Sequence, residues 1–410
     1  MRSPATLQSS VFNLAVLVSG LGFFIDAFDL FLFNVYRVPS LKELGLSGVE
    51  LTHTGERLLA IQMAGMMTGG ILTGIIGDKF GRVSVLFASI LLYSVSNIAN
   101  AFVHDVNVYA VVRFLAGVGL AGELGAGITL VSESMTIERR GYGTILVATL
   151  GALGAVSAGL ISDLVYWRYS FAGAGVAGLG LLVLRMKSLE TSMFSKAKEA
   201  SSVKRGSFVL LFSKPSRALK YLACILIGVP IWYSVGLLIT LSPEIAALKN
   251  ILGLKLSTCF ILFQTGITLG DLSSGIFSQL FKSRKKILLA YMLFAIACTV
   301  VHFILIYGSA GLYLTSLGMG LGCGYLSVFV TATAEHFGVN LRVLVTATVT
   351  NFMRGAVTIL VPLHIWIENT FSIDLIQSLI YTGCGVWLLA LASVIFLPET
   401  FGKNLDYIEE

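Results

Sequence analysis

Six ionisable side chains lie well inside apolar stretches that are long enough to cross a membrane. They are Asp26, Asp29, Arg113, Glu123, Asp271 and Arg354. A charge at the bilayer centre costs roughly 2.5 to 3.5 kcal/mol on insertion scales, so each should face the protein interior and have a partner. Intramembrane carboxylates and guanidinium groups typically relay protons or bind charged solutes. These six residues are therefore the first candidates for the chemistry of the protein.

Asp29 and Arg113 form the first candidate pair. If the first span runs outward and the fourth inward, Asp29 lies about seven residues and Arg113 about six residues from the external side. The two side chains then share a depth, and Asp26 lies one turn further in on the same helix face. Motion that parts the carboxylate from the guanidinium changes the proton affinity of Asp29, which would couple protons to transport. A permanent structural salt bridge is the alternative interpretation.

Glu123 lies deeper on the fourth span. It is ten residues from Arg113, or roughly 15 Å of helix, which excludes direct pairing between the two. It is either a second station for the proton or the end of a polar network.

The second half of the chain contains a different set of polar candidates. Depth counting places Asp271 and Arg354 within reach of one another, so they form a pair in one interpretation. In the other, Arg354 binds a carboxylate or phosphate through forked hydrogen bonds. The predicted substrate-binding set is Trp232, Tyr233, Gln264, Asn351, Arg354 and Asp271. Helix packing is the alternative role for the two aromatic residues.

Cysteine and histidine show no metal-ligand or redox spacing. All the cysteines fall inside predicted spans without paired spacing: Cys224, Cys259, Cys298, Cys323 and Cys384. They are interpreted as small packing residues. His302, His336 and His364 are interpreted as packing or interfacial residues. We expect neither a metal nor a cofactor.

The elements that position these side chains are membrane helices. Of 410 residues, 56% are apolar and 12% charged, whereas soluble proteins carry roughly 25% charged residues. Windows of about 20 apolar residues predict twelve helical spans. These are 11–36, 57–78, 83–102, 107–132, 142–164, 168–186, 219–243, 256–280, 286–307, 311–335, 343–366 and 375–397. The alternating segments of a membrane barrel are not visible, so the fold class is an all-α membrane protein.

The positive charges follow the predicted topology. If the first and last two residues of each span are counted with the loops, 20 of the 28 Lys and Arg residues fall in the termini and even-to-odd loops, 6 in the opposite loops and 2 within spans. This positive-inside pattern predicts that both termini are cytoplasmic and that the protein is a multi-pass protein of the cell membrane. The net charge of +6 is therefore topological, and we expect no nucleic-acid partner.

The two halves of the chain resemble one another, which indicates a duplication. A shift of 201 residues superposes Gly65 and Gly69 on Gly266 and Gly270, and Gly117 and Gly119 on Gly318 and Gly320. A basic stretch separates the two sets of six spans. The predicted domains are a bundle at 1–186, a cytoplasmic linker at 187–218 and a second bundle at 219–410. Repeats of this kind predict alternating access around a site between the halves at mid-membrane.

The same shift compares the polar residues of the two halves. It places Pro230 opposite Asp29, Leu314 opposite Arg113 and Gly324 opposite Glu123, so the charges of the first half are not repeated. We therefore expect proton handling in the first half and substrate binding in the second.

A turn with two charges follows the second span. It reads Gly77-Asp78-Lys79-Phe80-Gly81-Arg82, and a degenerate copy, Ser278-Gln279-Leu280-Phe281-Lys282-Ser283-Arg284, follows the eighth span. Further motifs are RFLAGVGLAGELGAGITLVSE from Arg113 to Glu133, the loop Glu138-Arg139-Arg140-Gly141, Leu189-Glu190-Thr191-Ser192 and Pro398-Glu399-Thr400. Over nearly the whole chain these features resemble the major facilitator superfamily. The predicted conformational latch is Gly77, Asp78, Gly81, Arg82, Glu133, Arg139 and Arg140.

The first helix narrows the resemblance. Its sequence Phe23-Phe24-Ile25-Asp26-Ala27-Phe28-Asp29-Leu30 is similar to the helix of phosphate:proton symporters that carries two aspartates. Arg113 and Glu123 match the spacing in the fourth helix of that branch, and sugar porters share Asp29 and Arg113. The resemblance implies that Asp26, Asp29, Arg113 and Glu123 take part in proton coupling. The segment Ala148-Thr149-Leu150-Gly151 lacks the polar amide usual in phosphate symporters, which puts phosphate itself in doubt.

The sequence therefore predicts a secondary active transporter that imports a small polar or anionic metabolite together with protons. The alternative is a uniporter or exporter of the same fold that acts on a sugar, an organic cation or a metal chelate. An intramembrane aspartyl protease is disfavoured because Thr268-Leu269-Gly270-Asp271 lacks the first glycine of the protease motif. The expected partners are a small-molecule substrate, protons and the lipid bilayer. We expect a monomer, and we expect no enzymatic activity.

Overall fold

A computed structural model of the chain describes residues 14–80, 82–121, 140–190, 208–304, 308–402 and 408–409. No β-strand occurs in these ranges, and helices dominate them, so the prediction of an all-α protein is confirmed. Eight helical stretches in this part of the chain are long and apolar enough to cross a membrane. The count of twelve spans and the orientation of the termini remain predictions.

The first half contributes long helices that overlap the predicted spans. They are α1 Leu14–Glu43, α2 Gly48–Phe80, α3 Arg82–Asn100, α4 Val106–Leu120, α5 Arg140–Ser162 and α6 Trp167–Glu190. Helix α1 packs along α5, and α3 packs between α4 and α6. A Cβ added at Gly154 of α5 would lie 2.1 Å from the carbonyl oxygen of Phe24 on α1. Glycine is therefore needed for the close approach of these two helices.

The second half is more interrupted. Its elements are α7 Phe208–Phe212, α8 Pro215–Tyr233, a π-helix Ser234–Ile239, α9 Ser242–Leu248, α10 Leu256–Leu280, α11 Arg284–Ile304, α12 Ser309–Cys323, α13 Leu326–Glu335, α14 Val339–Gly355, α15 Val357–Phe371 and α16 Leu375–Phe396. Helix α8 packs against α14 and α16, and α10 packs against α12.

Three predicted spans of the second half are not regular α-helices. The seventh continues from α8 into the π-helix, the tenth breaks at Gly324 and Tyr325 between α12 and α13, and the eleventh divides at Ala356 between α14 and α15. Such irregular backbone is tolerated at membrane depth only where protein or water satisfies its polar groups. Single π-helical turns are frequent at functional sites, which directs attention to the end of α8.

The chain divides into two compact units, of which the first comprises residues 1–46 and 64–203 and the second comprises residues 47–63 and 204–410. The first part of α2 therefore groups with the second unit. The predicted boundaries at 1–186, 187–218 and 219–410 remain predictions, and residues 191–207 of the linker lie outside the described residues.

The first two helices extend further than hydropathy predicted. The first span was predicted to end at residue 36 and the second to begin at residue 57, whereas α1 runs to Glu43 and α2 begins at Gly48. The difference arises because His53, Glu56 and Arg57 end the apolar window. Glu56 is nevertheless 2% exposed and pairs with His53, so the helix continues beyond the apolar window.

Glycine contacts give the register of the internal repeat. A Cβ at Gly65 of α2 would lie 2.2 Å from the carbonyl oxygen of Phe114 on α4, and one at Gly266 of α10 would lie 2.3 Å from that of Leu317 on α12. The step from Gly65 to Gly266 is 201 residues, but that from Phe114 to Leu317 is 203. The second unit therefore has two more residues than the first between these paired helices.

This register corrects one detail of the sequence comparison. The residue opposite Arg113 is Ser316 rather than Leu314. A single shift failed because the two extra residues fall between the compared helices. The charges of the first half are still not repeated in the second.

Candidate functional site

Arg113 lies on α4 with its side chain fully buried. Its Nη2 donates a hydrogen bond to the Oδ1 of Asn97 on α3 at 2.9 Å. Its Cζ lies 4.6 Å from the ring centroid of Phe171 and 5.8 Å from that of Phe33. Contacts of a cation with aromatic faces are attractive and strengthen when the site is dry. One amide and two rings therefore hold the guanidinium.

Asp29 lies on α1 beside this guanidinium. It is fully buried and within electrostatic range of Arg113 and Asn97. Among the described residues, neither carboxylate oxygen of Asp29 has a hydrogen-bond partner, and the same holds for Nε and Nη1 of Arg113. Buried polar groups normally find partners because leaving them without one costs free energy. The pair thus keeps hydrogen-bonding capacity that the described part of the protein does not use.

Aromatic rings enclose the pair. The ring centroids of Phe33 and Tyr109 are 5.7 Å apart, those of Tyr109 and Trp167 are 6.1 Å apart, and those of Trp167 and Phe171 are 6.1 Å apart. We call Asp29, Asn97 and Arg113 with these four rings the Arg113 box. A dry enclosure lowers the local dielectric constant and strengthens every charge interaction inside it.

The sequence did not single out Asn97. A neutral amide inside an apolar span was the available signal, because polar side chains in membrane helices also require partners. Asp26 is 8% exposed and lies three residues before Asp29 on α1. Glu123 lies outside the described residues.

Asp271 has a structural partner in the second unit. Its Oδ1 accepts a hydrogen bond of 2.6 Å from the backbone amide of Ser327, the second residue of α13. The first amides of a helix have no partner within the helix. Asp271 on α10 therefore caps the helix that restarts after the break at Gly324 and Tyr325, which gives its carboxylate a role that sequence reasoning did not anticipate.

Arg354 lies next to an aromatic ring. Its Cζ is 5.5 Å from the ring centroid of Trp232, which is buried at the end of α8, whereas Arg354 itself is half-buried. Asn351 is buried three residues earlier on α14 and shares a helix face with Arg354. The structure therefore brings together two residues of the predicted substrate set, Trp232 and Arg354. We call this pair the Arg354 platform.

The other two members of that set have different surroundings. The hydroxyl of Tyr233 donates to the carbonyl oxygen of Leu379 at 2.8 Å, and a Cβ at Gly383 would lie 2.4 Å from that hydroxyl oxygen. Tyr233 thus packs on α16. Gln264 is 5% exposed, and its Nε2 has no hydrogen-bond partner among the described residues.

The degenerate turn copy of the second unit forms a polar network. Nη2 of Arg284 lies 3.3 Å from Oε1 of Glu335 at the end of α13, and Nη1 of Arg284 donates to Oγ of Ser278 at 2.9 Å. Oγ1 of Thr400 donates to Oε2 of Glu335 at 2.7 Å. The sequence missed Glu335, although Glu133 at the corresponding end of the fourth span was the available signal.

Glu399 completes this network. Burial opposes its ionisation, but hydrogen bonds from Ser283 and from the backbone amides of Phe401, Arg284 and Thr400 outweigh burial and lower the pKa of Glu399 to about 2. The carboxylate is therefore charged at neutral pH and joins the chain after α16 to the start of α11.

The predicted latch of the first half falls outside what the structure describes. Gly81, Glu133 and Arg139 are not among the described residues. Gly77 and Asp78 lie on α2, Arg82 on α3 and Arg140 on α5, but their side chains are not among those described.

Comparison with known proteins gives the class. The profile of the Major Facilitator Superfamily matches residues 19–362, so the chain belongs to this family of transporters. It is a multi-pass protein of the cell membrane, and its family and relatives are transporters rather than enzymes.

Individual relatives agree with that class. A putative niacin/nicotinamide transporter, NiaP, of Bacillus subtilis (strain 168) is 32% identical over 157 residues, which cover 38% of each chain. The chain thus aligns with well under half of that relative. A putative metabolite transport protein of Haemophilus influenzae (strain ATCC 51907 / DSM 11121 / KW20 / Rd) is 27% identical over 96% of this chain and 97% of its own length. The crystal structure of a D-xylose-proton symporter superposes with a TM-score of 0.73 at 17% identity, covering 97% of this chain and 100% of that one.

Proposed function

We propose that this protein is a proton-coupled symporter that imports a small organic carboxylate by alternating access. The Arg113 box is the observation that carries the proposal. It holds a fully buried carboxylate and a fully buried guanidinium whose hydrogen-bonding capacity is not used up by their neighbours. A purely structural ion pair gains most when all its polar atoms are bonded.

The proton cycle uses the charge of Asp29. With Asp29 ionised, its attraction to Arg113 holds α1 against α4. With Asp29 protonated, that attraction is lost, while Asn97 and the rings continue to hold the guanidinium. Protonation thus changes the free energy of the α1–α4 contact, which is what a proton must do to drive a conformational change. Asp26 and Glu123 serve as further stations for the proton in this proposal.

Substrate binding uses the Arg354 platform together with Tyr233, Gln264 and Asn351. A guanidinium binds a carboxylate through two parallel hydrogen bonds, and the adjacent Trp232 offers an aromatic face. The name of the Bacillus subtilis relative includes niacin, which has a carboxylate on an aromatic ring. Asp271 supports this set by holding the start of α13. The turn residues of the predicted latch stabilise one conformation of the transporter.

Transport by the full chain in liposomes tests the proposal, with radiolabelled nicotinate as the probe. A proton gradient directed inward should drive nicotinate accumulation. In a weakly buffered exterior, nicotinate uptake should raise the external pH. Asp29→Asn should abolish accumulation and spare exchange of nicotinate across the membrane, because exchange needs no net proton movement. Equal uptake of nicotinate with and without the pH gradient would contradict proton coupling.

Asp271→Asn is the matched control. It also neutralises an aspartate of a predicted span, here a half-buried one, but the amide oxygen still accepts from Ser327, so accumulation should persist. If Asp29→Asn abolished both accumulation and exchange, Asp29 would be a structural or substrate-binding residue instead.

A further inference from the structure

Four titratable side chains meet where α2 begins. Oε2 of Glu56 lies 3.3 Å from Nδ1 of His53, and Oε1 of Glu56 lies 3.0 Å from Nε2 of His364 on α15. The second approach has ion-pair distance without the alignment of a hydrogen bond. Glu368, one turn after His364, interacts electrostatically with all three. We call His53, Glu56, His364 and Glu368 the α2–α15 cluster.

A second contact fastens the same two segments. Oγ1 of Thr358 on α15 donates to the carbonyl oxygen of Ala60 on α2 at 3.1 Å. Both segments belong to the second unit, since residues 47–63 group with it. The cluster and the Thr358 bond therefore form one seam between the start of α2 and α15.

Burial within the cluster is uneven. The side chains of Glu56 and His364 are 3% and 0% exposed, whereas that of His53 is 20% exposed. Solvent therefore contacts the cluster at His53 and at the half-buried Glu368, whereas Glu56 and His364 are shielded from it. The charge asymmetry of the loops predicts that this end of the bundle faces outward.

The charge of the cluster depends on its two imidazoles. When both are protonated, they balance Glu56 and Glu368, and the cluster is neutral. When both are neutral, Glu56 and Glu368 repel one another without a cation to balance them. The other charged groups nearby change this little, because Arg57 is exposed to solvent and Asp374 caps the first turn of α16.

The ligand of such a cluster is a proton rather than a metal ion. Within the described part of the chain, no three His, Cys, Asp or Glu side chains are arranged to hold a metal ion. Histidine is also the side chain whose charge changes between about pH 5 and pH 8.

We propose that the α2–α15 cluster is a second proton-binding site, whose protonation holds the start of α2 against α15 and whose deprotonation releases it. This site is separate from the Arg113 box, and it assigns to Glu56 and His364 a role beyond packing. A proton arriving from outside would close the seam, which is the direction that import with protons requires. The inference concerns the proton side of the proposed function, but its test needs neither substrate nor a pH gradient.

Labelling of a cysteine in the seam tests the proposal. Thr358→Cys would be placed in the full chain with Cys384→Ser, because Cys384 is an exposed native cysteine. The protein would be embedded in lipid nanodiscs and treated with a water-soluble maleimide. Labelling should be several-fold slower near pH 5.5 than near pH 8, because protonated imidazoles balance the carboxylates and hold the seam closed. Equal rates at the two pH values would overturn the proposal.

Two substitutions at one position separate charge from packing. His364→Gln is always neutral and should label rapidly at both pH values, whereas His364→Lys is cationic and should label slowly at both. Glu56→Gln should abolish the slowing in acid, since protonated imidazoles then lack the central anion. If His364→Gln and His364→Lys showed the same labelling pattern, the charge of the cluster would not control the seam.

His302→Gln is the matched control. His302 is also fully buried in the second unit, but its Nδ1 pairs with Thr315 at 2.9 Å. Its substitution should leave the pH dependence of labelling unchanged. If it abolished that dependence as His364→Gln does, the effect would belong to general destabilisation and the proposal would fail.

Discussion

Two arginines inside predicted spans are placed in opposite ways. Arg113 in the first unit is fully buried, and Asn97 and two rings hold it beside Asp29. Arg354 in the second unit is half-buried and lies over a single ring, that of Trp232. Both are held by aromatic faces, but only Arg113 is sealed from solvent. The difference suits Arg113 to an internal charge whose partner changes protonation, and Arg354 to an anion that enters from water.

The physical basis of this difference is the local dielectric constant. A charge pair 4 Å apart interacts by about 1 kcal/mol in water and by about 4 kcal/mol at an effective dielectric constant of 20. One proton on Asp29 therefore changes the energy of the Arg113 box substantially. At the Arg354 platform, partial contact with water lowers the cost of a guanidinium that has no anion bound to it.

The largest expected effect is on the sealed arginine. Arg113→Met should destabilise the protein by about 3 to 5 kcal/mol, because it leaves the Asp29 carboxylate buried without its cation. The double variant Arg113→Met/Asp29→Asn should recover a large part of that loss. Thermal unfolding in detergent measures both, and equal unfolding temperatures for the single and double variants would show that the two charges do not interact.

The second-largest expected effect is on Arg354, the half-buried arginine. Arg354→Gln should raise the KM for nicotinate by about 10- to 100-fold, since hydrogen bonds to charged groups contribute about 1.5 to 3 kcal/mol. Arg354→Lys should fall between this variant and the wild type, because it keeps the charge and loses the fork. The unfolding temperature should change little. Unchanged KM in both variants would remove Arg354 from the substrate site and weaken the contrast with Arg113.

A smaller effect is expected at Asp271. Asp271→Ala removes the side-chain acceptor for the Ser327 amide and should cost about 1 kcal/mol of folding stability, as the loss of a helix cap does. Asp271→Asn should cost less because its amide oxygen still accepts. Thermal unfolding measures the loss of folding stability, and nicotinate uptake measures proton-driven accumulation. An effect on proton-driven accumulation as large as that of Asp29→Asn would erase the distinction between the two aspartates.

The smallest effect concerns Glu399. Its pKa is lowered from an ordinary value of 4.5 to about 2, so its ionised form stabilises the folded protein above about pH 4.5. That contribution is lost as the pH falls through about 2. Because Glu399 is exposed, it should amount to about 1 kcal/mol or less. The unfolding temperatures of the wild type and Glu399→Gln should therefore differ at pH 7 and converge in strong acid, and a constant difference would contradict the lowered pKa.

Much of the fold could be predicted from hydropathy, because membrane helices are apolar along their whole length. Each predicted span overlaps a helix or a pair of helices in the described part of the chain. The helix breaks at Gly324 and Ala356 could not be predicted, because hydropathy does not report where backbone hydrogen bonds are interrupted. The site was only partly readable: Asp29 and Arg113 appeared as charges in apolar surroundings, whereas Asn97 is neutral and His364 resembled a packing residue.

The sequence by itself determined the class of protein and the unequal distribution of charges between the halves, and it predicted the depth of the buried charges, since placing charge in lipid is costly. Only the tertiary structure decided the partners. It placed Asn97 against Arg113, gave the Asp271 carboxylate to the start of α13, and brought Glu56 to His364 across 308 residues of chain. Partners depend on how helices distant in sequence pack against one another, and hydropathy carries no information about that packing.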